Sequence, residues 1–263
     1  YEMQRSLVGS EMCIRDRLTS EHLYDRQYED REWYLCEWKA NRQMYPPIKK
    51  QFGCISFDKG GYYCIREKDT FSFIRCGRHK DRPAHADNLH LDIWYQGENC
   101  LFDGGSYKYN TTEKLLRYFM GTESHNTIML EGHDQMLKGD RFIWYNWSQA
   151  EWSSLKETED TYIFEGKVSC FTYLNKKIKH YRKIVKWKNT CKWEIEDCID
   201  GNPKNMNMRQ LWHTNKDNLS LESNGETIDT EQLCSNYYGQ TTKCRQIEFQ
   251  TKNSSIKTIL QFI

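Results

Sequence analysis

The chain has 263 residues, and its 38 basic and 37 acidic side chains give a formal net charge of +1. This balance argues against nucleic acid or a membrane surface as the main partner. No apolar run approaches the length of a membrane span, and the length suits one large domain with a sizeable core plus a short lead-in.

The first residues do not have the pattern of a folded element. Residues 7–17, with the sequence LVGSEMCIRDR, resemble the conceptual translation of a transposon-type sequencing-library adapter. We therefore interpret residues 1–17 as an adapter-derived scar and leave them out of the fold prediction. On this interpretation the authentic chain begins near Leu18 inside a longer protein, so neither a signal peptide nor an upstream domain can be judged absent.

Residues 18–50 are predicted to form a short helical lead-in or linker. Charged and aromatic residues over 21–43 have helix-compatible spacing, and the segment ends before Pro46 and Pro47. We interpret this segment as the remnant of an upstream domain.

Residues 51–263 have the pattern of an all-β domain. Short apolar or alternating runs are separated by turn residues, with few helical stretches between them, which predicts a large two-sheet antiparallel β-sandwich. The predicted strands are Tyr62–Arg66, Phe71–Cys76, Leu89–Tyr95, Thr127–Leu130, Tyr162–Gly166, Ile178–Trp187, Cys191–Cys198, Asn205–Trp212 and Ile256–Phe262.

A basic run over 176–186 intersperses lysine, histidine and arginine with apolar residues. This pattern predicts an exposed strand that lies over the core, because charged outer faces keep edge strands soluble. Contact with an anionic glycan is the alternative.

Eleven cysteines are spaced irregularly, and no disulfide framework or zinc-knuckle pattern is visible. Reduced thiols in small apolar positions are therefore the default prediction.

Histidines and carboxylates concentrate around one predicted hairpin. Residues 89–94 alternate with the period of a strand, and the hairpin that follows brings His85 back towards Asp103. His125 begins a third apolar run, which can deliver it to the same place. Two neutral imidazoles and a carboxylate on a rigid sheet suit zinc, with a fourth position for water or substrate. Capping or solvated groups are the alternative, since no CxxC or HExxH pattern fixes the site.

A series of short motifs follows in order along the chain: Gly60-Gly61-Tyr62-Tyr63, Arg82-Pro83, His85-Ala86-Asp87, Leu89-His90-Leu91-Asp92, Asp103-Gly104-Gly105, Tyr107-Lys108-Tyr109-Asn110, His125-Asn126-Thr127 and Asp134-Gln135-Met136. Their order and spacing resemble the C-terminal domain of the heparinase II/III-like polysaccharide lyases. The resemblance covers roughly residues 52–263 and is strongest over 60–147.

The resemblance implies a lyase that cleaves acidic, uronate-containing polysaccharides by β-elimination in the periplasm or cell envelope. In this family an N-terminal helical toroid supplies much of the catalytic machinery, and that toroid is missing from this sequence. By position, His85, Asp103 and His125 match the family's metal ligands. The metal, predicted to be zinc, would mainly organise loops that face the toroid.

No catalytic residue is assigned with certainty by the resemblance. Many members have a histidine two residues before the metal-binding histidine, whereas this chain has Pro83. Tyr107, Tyr109 and His90 are weak catalytic candidates, with packing or hydrogen bonding as the alternative.

Two further residues are candidates for contact with a substrate. Gln135 matches a family position that shapes this surface. Trp144 belongs to an aromatic cluster over residues 140–147, for which core packing is the alternative to sugar stacking.

Three classes of function follow from the sequence. The first is the β-sandwich part of a polysaccharide lyase, inactive without its toroid. The second is a non-catalytic module for glycan binding or envelope-polysaccharide assembly on the same fold, which Pro83 favours. The third is a structural sandwich without a glycan role, which the order of the motifs disfavours; fold alone does not settle chemistry.

Overall fold

Strands make up about half of the residues that a computed structural model describes, which are residues 51–202 and 205–262. Apart from Gln51, these residues lie in the unit Phe52–Ile263. The predictions for residues 1–17 and 18–50 lie outside the described part. Among the described residues, no helix has the length and apolar character needed to cross a membrane.

The strands follow one another with few helices between them. Their bounds are β1 Gly53–Phe57, β2 Tyr62–Arg66, β3 Thr70–Arg75, β4 Leu91–Tyr95, β5 Glu98–Leu101, β6 Ile128–Leu130, β7 Leu137–Lys138, β8 Trp144–Tyr145, β9 Gln149–Glu157, β10 Thr161–Ser169, β11 Lys179–Trp187, β12 Lys192–Asp200, β13 Met208–Thr214, β14 Leu219–Ser223, β15 Glu226–Cys234, β16 Thr242–Thr251 and β17 Ser255–Phe262. Helix α1 spans Glu113–Met120, and a 3-10 helix spans Thr122–Ser124.

The strands pair antiparallel in three large sheets and a small hairpin. One sheet has the order β1-β2-β3-β4-β5, a second has β14-β17-β12-β11-β10-β9, and a third has β15-β16-β13-β6, while β7 pairs with β8. The turn between β4 and β5 consists of Gln96 and Gly97, both with positive φ (51° and 82°). Such two-residue turns match the twist of the strands they join.

The five-stranded and four-stranded sheets meet where β5 lies beside β13. The Phe102 N–H donates to the His213 carbonyl at 3.2 Å, and the Thr214 hydroxyl donates to the Cys100 carbonyl at 2.8 Å. These two sheets form one layer of the sandwich, and the six-stranded sheet forms the other. The predicted antiparallel β-sandwich is therefore confirmed, with one layer built from two sheets.

Apolar side chains from both layers fill a continuous core. Ile74, Phe164, Trp193, Trp212 and Leu260 are all fully buried within it. The hydrophobic effect stabilises each such side chain by roughly 1.5–3 kcal/mol relative to an exposed one.

The basic strand is placed differently from the prediction. β11 lies between β10 and β12 in the middle of its sheet, and its inward face carries His180, Arg182, Ile184 and Lys186, all fully buried. The outward face does carry the predicted lysines, Lys179 and Lys183, but the strand is central in its sheet and its inward face is charged as well, which the prediction did not include. The positive charges are tolerated inside because acidic partners neutralise them; Lys186 Nζ, for example, donates to Glu67 Oε2 at 2.7 Å.

The strand that was predicted over residues 89–95 begins two residues later in the structure than in the prediction. The His90 N–H donates to the Asp87 carbonyl at 3.1 Å, and Leu89 has a φ of 62°, so this segment is a turn. The strand begins at Leu91. The turn matters for the site, because it points His90 into the protein, where it is 2% exposed.

The cysteines of the described residues are free. Cys76 and Cys100 are buried and Cys64 is half-buried, which agrees with their prediction as small, mostly apolar residues.

Candidate metal centre

The three predicted metal ligands are brought together at one edge of the core. His125 Nδ1 lies 2.7 Å from Asp103 Oδ2, and His125 Nε2 lies 3.3 Å from His85 Nδ1. His125 is fully buried and His85 is 7% exposed. The Ser106 hydroxyl lies 3.3 Å from His85 Nε2. The four side chains therefore form one chain of polar contacts, with His125 in contact with both other predicted ligands.

His90 lies on the other side of Asp103. The Asn126 N–H donates to His90 Nδ1 at 2.9 Å, so the proton of a neutral His90 is on Nε2. Nε2 faces Asp92 Oδ1 at 3.0 Å and Asp103 Oδ2 at 4.0 Å. The network thus assigns His90 as a hydrogen-bond donor to Asp92, with the Asp103 carboxylate nearby but beyond hydrogen-bond distance.

Asp103 lies two residues after the end of β5, and a glycine loop holds its carboxylate in place. The Gly105 N–H donates to Asp103 Oδ1 at 2.6 Å, which leaves Oδ2 for His125. Gly105 has a φ of 87° and pairs with Ser235 at the end of β15, whose N–H donates to the Gly104 carbonyl at 2.8 Å. Glycine is needed here because the loop lies directly against Ser235.

His85 lies in the long loop between β3 and β4. The Ala86 N–H donates to the Met120 carbonyl at 2.9 Å, which ties the loop to the end of α1. The Trp144 indole N–H donates to the Ala84 carbonyl at 3.2 Å. The residues on both sides of His85 are thereby fixed to neighbouring elements.

Asn126, directly after His125, joins the strands around the cluster. Its amide group donates to the Leu91 carbonyl at 2.9 Å and the Phe102 carbonyl at 3.1 Å. Its side-chain oxygen accepts from the His213 backbone N–H at 2.7 Å. One buried amide therefore links β4, the end of β5 and β13 around the site.

The charges of the cluster are strongly coupled. Burial lowers the pKa of His85 to about 4, and the neighbouring His125 adds to this effect. Burial disfavours charge on His125 as well, but Asp103 outweighs it and raises the pKa of His125 above its ordinary value. Burial would raise the pKa of Asp103, yet His125, His90 and His85 hold it well below its usual range. The cluster thus contains an ionised carboxylate beside a neutral His85.

These donors fit a divalent metal such as zinc. Bonds of about 2.0–2.1 Å from zinc to nitrogen place two imidazole nitrogens of a tetrahedral site roughly 3.3–3.4 Å apart, and His85 Nδ1 and His125 Nε2 are separated by 3.3 Å. Asp103 contacts Nδ1, the other ring nitrogen of His125, and in this arrangement it orients His125, as carboxylates do for metal-bound imidazoles; to act as a ligand, its carboxylate would have to turn towards the Nε2 side. His90, Asp103 and His125 also offer donor atoms within 4.8 Å of one another. Ligation through His90 Nε2 would move its proton to Nδ1, directly against the Asn126 N–H, which disfavours that second set.

The structure does not support direct substrate contact for Gln135 or Trp144. Gln135 is fully buried, and it donates to the Asn88 carbonyl at 2.8 Å while accepting from the Asn88 N–H at 3.0 Å. Trp144 is 3% exposed, with its indole N–H bonded to Ala84. Both predictions are therefore corrected: these side chains hold the loop that carries His85.

The two candidate tyrosines differ in their surroundings. Tyr107 is half-buried against Phe119, with ring centroids 5.5 Å apart. Tyr109 is 46% exposed and contacts Phe142 at 5.6 Å and Tyr238 at 6.0 Å between ring centroids. An acid or base role for either tyrosine stays a prediction.

Three residues of this region were not found from the sequence. Ser106 contacts His85, His213 contacts Asn126, and Arg182 donates to the Asn126 carbonyl at 2.7 Å. Ser106 directly follows the Asp103-Gly104-Gly105 motif, which is a weak signal. Arg182 and His213 come from distant strands, and no local pattern connects them to the site.

Comparison with solved structures supports the β-sandwich fold. The chain resembles a solved heparinase III gene product with a TM-score of 0.68 and 17% identity, covering 86% of this chain and 38% of that one. It resembles the heparan sulfate lyase HepC from Pedobacter heparinus with a TM-score of 0.68 and 14% identity, covering 88% and 40%. At these identities the likeness shows the fold alone, and the chain spans about 40% or less of those structures.

Among curated proteins, no significant match is found. The family described as "Heparinase II/III-like, C-terminal" matches residues 50–259, which include every strand from β1 to β16 and the whole candidate metal centre. The sandwich, the ordered motifs and this match together show that the chain belongs to the heparinase II/III-like, C-terminal family.

Proposed function

We propose that the chain is the β-sandwich domain of a polysaccharide lyase that cleaves an acidic, uronate-containing glycan by β-elimination. The observation that carries this proposal is the buried cluster of His85, His125 and Asp103 on a domain of the heparinase II/III-like family. The proposed partner within the full-length protein is an upstream helical toroid, and the proposed location is the periplasm or cell envelope.

Cleavage by β-elimination makes three demands on the protein. The uronate carboxylate must be neutralised, a base must remove the proton at C5, and an acid must protonate the leaving O4. In the proposed full-length protein, the toroid supplies much of this machinery. The described sandwich contributes a rigid surface next to the cluster.

The proposed metal ligands are His85, Asp103 and His125. A bound metal would supply positive charge and hold the surrounding loops in one arrangement. His85 and His125 would offer neutral imidazole nitrogens, and Gly105 keeps the Asp103 carboxylate oriented through its N–H. His90 donates its ring N–H to Asp92, beside Asp103.

An exposed aromatic and cationic patch next to the cluster supports an acidic sugar chain as substrate. We call the group Arg82, Tyr109, Phe142 and Tyr238 the tyrosine patch; Tyr109 is 46% and Tyr238 51% exposed. The Arg82 guanidinium lies 5.5 Å from the Phe142 ring centroid. Aromatic faces stack on sugar rings, and a guanidinium pairs with carboxylate or sulfate groups.

The loop that follows Asp103 connects the tyrosine patch with the metal centre. The Gly239 N–H donates to the Tyr107 carbonyl at 3.0 Å, which ties the Tyr238 turn to the loop after Asp103. Ser106 in that loop contacts His85. The loop over residues 104–109 therefore joins part of the tyrosine patch to a residue that contacts His85.

A non-catalytic module for glycan binding or polysaccharide assembly is the second candidate. The observation that favours it is Pro83, which stands two residues before His85 where many members have a histidine and which is buried. Such a module would bind glycans without releasing unsaturated products.

The test uses the full-length protein with a panel of alginate, heparan, chondroitin and bacterial exopolysaccharides. The absorbance of unsaturated uronates is followed for the wild type, a His85→Ala variant and a His133→Ala control, since His133 lies outside the cluster. A rise that His85→Ala abolishes and His133→Ala retains supports the lyase. Retained glycan binding without any rise supports the binding module and contradicts the lyase.

A further inference from the structure

Arg182 reaches across the core to the backbone of the candidate metal centre. It lies on β11 in the six-stranded sheet and is fully buried. Its Nη1 donates to the Leu89 carbonyl at 2.6 Å and to the Asn126 carbonyl at 2.7 Å. Both carbonyls belong to the opposite layer of the sandwich.

These two carbonyls flank the histidines of the site. Leu89 directly precedes His90, and Asn126 directly follows His125. Leu89 has a φ of 62°, a left-handed conformation that is strained for a residue with a side chain. The contact with Arg182 holds this strained turn in place. One guanidinium thus fixes the backbone on both sides of the site.

The other side of Arg182 is held rigidly. Nε and Nη2 donate to the two oxygens of Asp197, each at 2.7 Å. Asp197 also accepts from His180 at 2.7 Å and from Gln210 at 2.7 Å. A buried guanidinium that is clamped by a bidentate carboxylate has a fixed orientation, so it can transmit that orientation to the carbonyls.

We propose that Arg182 is a positioning residue for the metal centre, which it organises without touching the metal. This inference rests on the proposed metal-binding role of His85, Asp103 and His125. Loss of an outer partner of metal ligands weakens metal affinity by about 10–100-fold. A role confined to stability would lower the melting temperature and leave the affinity of the folded protein unchanged.

The chain offers a matched control in Arg209. Its Nε and Nη2 donate to Glu248 at 2.7 and 2.6 Å, and its Nη1 donates to the Glu131 carbonyl at 2.8 Å. The arrangement resembles that of Arg182, with a bidentate carboxylate on one side and a carbonyl on the other. It makes no contact with the three proposed ligands.

The experiment compares Arg182→Lys with Arg209→Lys in the full-length protein. Lysine keeps the charge but cannot bond a carboxylate bidentately and two carbonyls at once. Zinc affinity is measured by competition titration, and the absorption spectrum of the cobalt-substituted protein reports ligand geometry. We expect zinc binding to weaken by about 10–100-fold and the cobalt spectrum to change in Arg182→Lys, with less than about a 3-fold change in Arg209→Lys.

If Arg182→Lys does not fold, a measurement on the wild-type protein tests the positioning role of Arg182 instead. With arginine-selective nitrogen labelling, the Nε–H resonance of Arg182 is followed during zinc titration. A shift that saturates with zinc binding, without a matching shift for Arg209, supports the inference.

Two outcomes overturn it. A folded Arg182→Lys protein with wild-type zinc affinity, or an Arg182 resonance that zinc leaves unchanged, contradicts positioning while the metal centre stands. A wild type that binds neither zinc nor cobalt contradicts the metal centre and this inference together.

Discussion

Replacement of Gly105 by alanine tests how tightly the loop after β5 is held. Gly105 has a φ of 87°, and a Cβ at this position would lie 2.1 Å from the Ser235 carbonyl oxygen, far inside the ordinary contact distance of 3.4–4 Å. The end of β15 would have to move away. That movement would break the hydrogen bond from the Ser235 N–H to the Gly104 carbonyl.

The expected loss of stability has two parts. Alanine in the left-handed region costs about 1–2 kcal/mol. Loss of a backbone hydrogen bond adds about 1 kcal/mol or more when a partner is left unsatisfied. We therefore expect Gly105→Ala to lower the free energy of unfolding by about 3 kcal/mol.

Gly97 provides the control for the backbone part alone. Its φ of 82° is nearly the same, and a Cβ there would meet nothing within 4 Å. Gly97→Ala should lose only about 1–2 kcal/mol. Urea denaturation measures both free energies, and zinc titration should show weaker binding for Gly105→Ala alone, because the Gly105 N–H orients Asp103.

Equal losses of stability in the two variants would refute this reasoning. They would show that Ser235 does not constrain the loop. Unchanged zinc affinity in a folded Gly105→Ala protein would show that the conformation of this loop does not influence zinc binding.

Three further predictions follow from the buried polar groups. Zinc at 100 times its dissociation constant should stabilise the protein by about 2.7 kcal/mol and raise its melting temperature by about 5–10 °C; His85→Ala should abolish the rise, and an equal rise in that variant would contradict the site. Burial lowers the pKa of His213 to about 3. As the pH falls below about 6.5, His213 therefore takes up a proton in the unfolded chain but stays neutral in the folded protein. Stability should therefore fall by about 2 kcal/mol between about pH 6.5 and pH 5 from this residue; denaturation across pH should show a shallower slope for His213→Gln, and an identical slope would contradict its role. Lys186→Met leaves Glu67 without its partner and should cost about 2–4 kcal/mol, part of which Glu67→Gln in the same chain should recover; no recovery in the denaturation midpoint of the double variant would contradict the pairing.

The sequence was most informative where spacing along the chain corresponds directly to spacing in the fold. Strand β2 was predicted with its observed bounds, because alternating burial is a local property of a strand. The hairpin after residues 89–94 was likewise predicted, and the structure places its turn at Gln96 and Gly97. The approach of His85, Asp103 and His125 followed from this hairpin and from the ordered family motifs.

Local sequence patterns did not predict which charged side chains lie in the interior of the sandwich. β11 has the composition of an exposed strand, yet it lies at the centre of its sheet because Asp197 and Glu67 neutralise its buried charges. Asp197 comes from the neighbouring strand β12, whereas Glu67 lies directly after β2 and is 119 positions away from Lys186. The charge of a side chain therefore does not show whether the side chain is exposed or buried when the group that neutralises it is distant along the chain.

The assignment of roles around the site also depended on the tertiary structure. Gln135 and Trp144 were candidates for substrate contact by position, but burial assigns them to the support of the loop that carries His85.

The sequence by itself predicted the family and the antiparallel strands, which the family match and the structure confirm, and it proposed the metal ligands, because these predictions rest on local periodicity and ordered motifs. The tertiary structure alone decided the tautomer of His90, the contact of Ser106 with His85, and the connection of Arg182 to the site. The physical reason is that hydrogen bonds and desolvation act between atoms that the fold brings together, independently of their separation along the chain.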